Sequence, residues 1–192
     1  MTPGTFRGMV ILLLLLSGCY TVAFREPNLY TYQTEVPLKA AFYMDEDLKE
    51  KSYSSRAWSS GILNRWDVPV GNVIHLYAQS YLKKGFNQLD EINDPTIKSN
   101  YDVVIKLVDI HYYLADQAAH SDITFTIENS QGHELLNKKY HADGPSGFGR
   151  VIMAGPFAQK SAIRQSTHVV LENIFTHLMD DIQSEYTQWK IP

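Results

Sequence analysis

An unbroken apolar run, Met9-Val10-Ile11-Leu12-Leu13-Leu14-Leu15-Leu16, stands near the start of the chain, with a single basic residue, Arg7, ahead of it. Beyond it the apolar positions follow two spacings. Over 38–44, Leu38, Ala40, Phe42 and Met44 alternate with Lys39, Ala41 and Tyr43, which predicts a half-buried strand. The alternation over 101–114 changes phase midway: Tyr101, Val103, Ile105 and Leu107 share one face, then Val108, Ile110, Tyr112 and Leu114 the other. A shift of one residue would turn the buried set to solvent. The spacing therefore predicts a β-bulge near Val108-Asp109, or a strand covered on different faces at its two ends. Ile123, Phe125 and Ile127 alternate with Thr124, Thr126 and Glu128, and Asn129-Ser130-Gln131-Gly132 then reads as a turn. A third strand over 134–142 carries Lys138 and Lys139, which suit an edge because charge discourages sheet-to-sheet pairing.

The other spacing is helical. Val70, Ile74, Ala78, Leu82, Phe86 and Leu89 recur at fours and threes and predict a helix over 70–89. Gly85 would weaken its last turn by about 1 kcal/mol relative to Ala. A longer helix is predicted over 158–186, with Ile163, Val170, Leu171, Ile174, Leu178 and Ile182 as its stripe. The charged stretch 45–51 reads as a solvated loop, the Trp-bearing stretch 52–66 as a hairpin, and 90–100 as a loop. The order strand, helix, three strands, helix predicts an α+β fold: a two-layer sandwich, mostly antiparallel sheet, with two long helices packed on one face.

The run over 9–16 is shorter than the roughly 20 residues a membrane-crossing helix needs, and has the length of a secretory h-region. It ends in Leu16-Ser17-Gly18-Cys19, which resembles the lipobox of bacterial lipoproteins. Small residues at 17 and 18 allow an extended backbone in a peptidase groove, and Cys19, the sole cysteine, supplies the thiol. The resemblance implies a signal peptide over 1–18 and a lipidated Cys19. It also implies a membrane anchor of two or three acyl chains, each buried methylene contributing about 0.8 kcal/mol. Tyr rather than Asp at position 20 implies the periplasmic face of the outer membrane in a Gram-negative cell. Residues 19–36, polar and without periodicity, read as a flexible tether. Residues 37–192 read as one periplasmic domain, large enough for its own core.

The layout of 70–185 further resembles small periplasmic lipoproteins of the YajG type and, more distantly, auxiliary lipoproteins of ABC-type lipid transport systems. The resemblance rests on Lys84-Gly85-Phe86, Asn100-Tyr101-Asp102, Gln131-Gly132, Lys139-Tyr140 and Met179-Asp180-Asp181-Ile182. It implies an accessory or structural role in envelope assembly or transport, without catalysis, and supplies no active-site residues.

Charge and chemistry narrow the picture further. A net charge of −4 without Lys/Arg runs argues against nucleic acid and against electrostatic adhesion to anionic headgroups. One cysteine allows no internal disulfide. Asp109 and His111 share a strand face with Asp116 and His120 nearby, but nothing supplies further converging ligands, so no metal or other cofactor is expected. His168 and Glu172 share a helix face from which His177 diverges, and Asp180-Asp181 splay apart. The Gly-rich segment 144–150 lacks the spacing of a phosphate loop. Phe148, Val151, Ile152, Met153 and Phe157 gather apolar area there. They either fold over the sheet as core or stand exposed as a contact for a partner, a second copy or the bilayer. No catalytic residue is assigned. The leading expectation is an accessory lipoprotein acting through an envelope protein partner or self-association. A lipid- or glycan-binding module built from the many aromatics is the alternative, and a hydrolase stands last.

Overall fold

In a computed structural model, the described residues are 19–24, 27, 35–56, 65–116, 118–146 and 156–189. Strand β1 is Cys19–Thr21, β2 Val36–Met44, β3 Tyr53–Arg56, β4 Arg65–Val68, β5 Phe86–Ile92, β6 Val103–Ala115, β7 Ala118–Asn129 and β8 Glu134–Asp143. The helices are α1 (Glu46–Lys49), α2 (Val70–Gly85) and α3 (Pro156–Glu185), with short 3-10 turns at Pro95–Asn100 and Tyr186–Gln188.

Five strands form one sheet in the order β5-β2-β6-β7-β8, and three form a small one in the order β1-β4-β3. The fold is mixed α/β. The expectation of a mostly antiparallel sheet needs correction, because β2 runs parallel to both of its neighbours, β5 and β6. Within this five-stranded sheet only the β6-β7-β8 meander is antiparallel. The difference starts at Gly85. The helix expected to reach residue 89 stops there, and Phe86–Ile92 becomes an edge strand instead. A parallel neighbour must be reached by a crossover, and α2 lies on the connection that carries the chain from β2 to β5. A side chain at Gly85 would occupy the place of Met179 from α3, so the residue is a point of close helix approach rather than a weak turn.

One face of the large sheet is covered. Ala40, Phe42, Met44, Val103, Ile105, Leu107, Ile123, Phe125 and Ile127 join the apolar stripes of α2 and α3 in a single core. Every stripe residue expected for α3 is buried. Phe175 sits at the centre, 5.6 Å from the Phe125 ring, 5.7 Å from Tyr81 and 6.2 Å from Tyr77. Buried hydroxyls tie helix to sheet: Ser166 Oγ accepts the Ala119 amide at 2.8 Å, and Thr167 Oγ1 lies 2.7 Å from the Tyr112 hydroxyl. The small sheet continues this layer. Val22, Trp66 and Val68 belong to the same core, and Tyr53 meets Tyr112 edge-on at 5.4 Å.

The predicted bulge is present. Pairing of β6 with β7 shifts register between Leu107 and Asp109, and Val108 is left 52% exposed. The strand β8 is an edge, as Lys138 and Lys139 suggested. The hairpin over 52–66 forms as β3 and β4, with its turn and Trp58 outside the described residues.

Two further expectations need qualification. The charged stretch 45–51 contains the short α1, capped by Asp45, whose carboxylate accepts the Asp47 amide at 2.9 Å. The start of the segment read as a tether is docked: β1 pairs in parallel with β4, the Val22 amide donates to the Asp67 carbonyl at 3.0 Å, and Val22 is fully buried. An apolar Val two residues past Tyr20 gives that stretch something to bury, which its polar average conceals.

Gly71 shows how closely α1 sits on α2. Its amide donates to the Lys51 carbonyl at 2.8 Å, and an added Cβ would run into the backbone carbonyl oxygens of Leu48 and Lys49. Gly71→Ala should therefore destabilise the domain by about 1–3 kcal/mol, as overpacking does. In thermal unfolding that is a loss of about 2–4 °C per kcal/mol for a domain of this size. A variant as stable as the parent would mean that α1 moves aside freely.

Candidate functional site

The opposite face of the large sheet carries no α-helix among the described residues. Alternation along β7 buries Ala119, Ser121, Ile123, Phe125 and Ile127, and so directs His120, Asp122, Thr124, Thr126 and Glu128 outward. On β8 the outward set opposite them includes Lys139, His141 and Asp143. The bulge then decides what β6 contributes. Before it the odd-numbered residues Val103, Ile105 and Leu107 face the core; after it Ile110 and Tyr112 do, so Asp109, His111 and Tyr113 turn outward. Without that extra residue the two aromatic side chains would be core groups.

These residues close into a ring of six. His120 Nδ1 lies 2.6 Å from Asp143 Oδ1, and His141 Nδ1 lies 2.8 Å from Asp122 Oδ1. The second nitrogen of His141, Nε2, is 3.3 Å from Asp143 Oδ2, while His111 Nδ1 is 3.7 Å from Asp122 Oδ2. Tyr113 completes the circuit, stacked on His120 with centroids 4.8 Å apart and tilted against His111 at 5.5 Å. Imidazole and carboxylate thus alternate across three strands. Further along the same face Glu128 accepts from Lys106 at 2.6 Å and from Lys98 at 3.4 Å.

A histidine with a carboxylate at each nitrogen can donate to both only as an imidazolium. The Asp122 hydrogen bond, outweighing slight desolvation and helped by Asp143, holds His141 above its usual 6.5. The hydrogen bond from His120, aided by His141, holds the Asp143 carboxyl below 3.8. The ring therefore favours the charged forms of His141 and Asp143 at an exposed surface. Its donors are turned toward one another. Among the described residues no three His, Cys, Asp or Glu side chains converge on a point that a metal ion could occupy.

The sequence-derived candidates scatter. Asp109 and His111 share the open face as expected, and His120 joins them there. Asp116 sits instead in the β6–β7 turn at a positive φ of 49°, its carbonyl accepting from Ser146 at 2.8 Å. His168 faces the other way and bonds the Tyr77 hydroxyl between the helices. Burial, then Glu172, pushes the neighbouring Tyr81 hydroxyl up to about 12, so that it stays protonated as a packing group. Asp180 is exposed, while Asp181 accepts from Lys138 at 2.6 Å and from Tyr140 at 2.7 Å. Cys19 is the first residue of β1, in register with Arg65. Phe148, Val151, Ile152 and Met153 lie outside the described residues. Phe157 falls in the first turn of α3, its side chain likewise outside them.

Asp122, His141 and Asp143 were not singled out from sequence, although a signal existed. A hairpin that places Glu128 opposite Glu134 without irregularity would set Asp122 against Tyr140. Keeping Leu136, Tyr140 and Ala142 on the core side with Ile123 and Ile127 demands one extra residue near the turn. That register shift, between Ile127 and Glu128, is present, and it is what sets His141 against Asp122 and Asp143 against His120.

Surface hollows lie elsewhere. One of about 350 Å³ runs between α2 and β5, lined by residues including Gln79, Lys83, Leu89 and Glu91. Another of about 440 Å³ lies where α1 meets α2, against Lys49, Asn72 and His75. Glu91 joins the two, accepting from His75 at 2.8 Å and pairing with Lys49 at 3.1 Å. Both are open and bordered by charge. No helix among the described residues is long and apolar enough to cross a membrane.

No protein-family model matches the chain, and no curated relative does. Among solved structures it is similar to the hypothetical protein CT253 from Chlamydia trachomatis, with 9% identity and a TM-score of 0.42. The match covers 78% of this chain and 98% of that one.

Proposed function

We propose that this chain is a lipid-anchored envelope protein, held at the periplasmic face of the outer membrane by an acylated Cys19. In this reading it has no chemistry of its own and acts by contact with another envelope protein. The observation that carries the anchor is the apolar run 9–16 ending directly in Leu16-Ser17-Gly18-Cys19. The contact surface is the uncovered sheet face bearing His111, Tyr113, His120, Asp122, His141 and Asp143. An exposed tyrosine amid charges that can exchange partners has the polar, aromatic composition of a non-obligate interface. A packed core lies behind it, so the face is presented rigidly.

Contact from this face is testable in the intact, acylated protein. A photo-crosslinking side chain at Tyr113 should capture one defined envelope protein, whereas the same group at Gln79, on the helix side, should not. Equal capture from both positions would remove the assignment of the face. Saturable binding of a soluble glycan or of protein-free lipid vesicles that abolishes the Tyr113 crosslink would replace a protein partner by a ligand.

A further inference from the structure

We propose that the ring of His111, Asp122, His141, Asp143 and His120 is a proton-operated latch that fastens the edge strand β8 to β7 and sets the charge of the open sheet face. The geometry supplies three requirements. Both cross-strand pairs, His120 with Asp143 and Asp122 with His141, lie directly opposite in the register of one strand pair. His141 bridges them, with a carboxylate at each ring nitrogen. Among the described residues the strand β8 has no neighbour on its outer side in the sheet, so its last residues depend on this pairing and on the helix α3 behind them.

The direction of the response follows from linkage. A histidine whose folded form holds its proton more tightly adds stability that is complete below the ordinary value of 6.5 and is lost as pH rises through the folded midpoint. A carboxyl held below 3.8 adds stability that is present above that value and is lost as pH falls through the folded midpoint. Between 3.8 and 6.5 both halves are charged and the latch is closed. Raising the pH past the His141 midpoint removes the bridging proton and leaves Asp122 and Asp143 facing a neutral ring. The surface becomes more negative at the same time. The charged and titratable groups around it are Lys51, His111, His120, Lys139, Asp109, Asp122 and Asp143, and the proton that leaves His141 takes one positive charge from among them. Further along the same face Lys106 and Lys98 both pair with Glu128. The helices α2 and α3 pack on the other side of the sheet.

Proton NMR of the histidine ring signals in the full chain, with hydrogen exchange of the β8 amides from pH 5 to 9, tests this directly. The His141 midpoint should lie above 6.5. Protection of the β8 amides, corrected for intrinsic exchange and compared with β2, should fall as pH passes that midpoint. In His141→Gln the protection should stay level across the range, and in Asp143→Asn the His141 midpoint should drop. These side chains are exposed, so both variants should fold, which the α3 and β2 amides report. A His141 midpoint at or below 6.5 would overturn the latch. So would a pH dependence of β8 that persists in His141→Gln.

Discussion

Cys19→Ser should abolish incorporation of labelled fatty acid and leave the chain as an unprocessed precursor that still carries residues 1–18. The effect is all-or-none because the diacylglyceryl group needs a thiol, and the chain holds no other cysteine. The energetic stake is large. One acyl chain gives only marginal binding, and two or three, at about 0.8 kcal/mol per buried methylene, make release negligible. Radiolabelling with palmitate and the mobility of the product on a gel report both outcomes. Normal maturation of the serine variant would remove the anchor, and with it the address in the envelope. The latch would survive that result, since it depends on the β7–β8 register and the bulge in β6 and not on the lipid.

The second large effect is on stability. Phe175 is fully buried and meets Phe125, Tyr77 and Tyr81, so that it joins both helices to the centre of the sheet. Phe175→Ala removes its apolar area and leaves a cavity that rigid neighbours cannot close, a loss of about 3–5 kcal/mol. Domains are stable by about 5–15 kcal/mol in all, so about a fifth or more of the total is at risk. The expected fall in Tm is about 2–4 °C for each kcal/mol lost. Phe175→Leu, which keeps much of the volume, should cost far less. Denaturant unfolding that gives the same ΔG for Phe175→Ala and the parent would show that α3 is not held on the sheet by this contact.

How far the sequence could be read depended on whether burial left a periodic trace. The strand β7 buries every second residue along its length, and its limits were clear. The phase change in β6 betrayed the bulge because both halves of that strand have a buried face. The helix α3 was equally plain, with six stripe residues all inside. The strand β5 left no such trace. Only Phe86 and Ile92, at its two ends, are buried, and Phe86 and Leu89 continue the spacing of α2 well enough to pass as its last turn. Missing that strand meant missing the crossover and both parallel pairings of β2. The ring on the open face was hidden for a different reason. Each member is an unremarkable polar residue at a solvent position, and what unites them is a one-residue shift at a hairpin turn together with a bulge on the neighbouring strand.

The docking of β1 has a mechanical consequence for an acylated protein. A free coil from residue 19 to residue 36 would let the domain wander roughly 23 Å from its lipid, sampling any orientation. Instead the chain is fastened to β4 from Cys19 onward and is out of solvent by Val22. Were Cys19 acylated as proposed, the mooring line would have almost no slack, so the small sheet would be berthed against the headgroups and the body would inherit a set bearing relative to the bilayer plane. Whatever met the outer strands would then approach along the membrane at a fixed height, and the search for it would become two-dimensional.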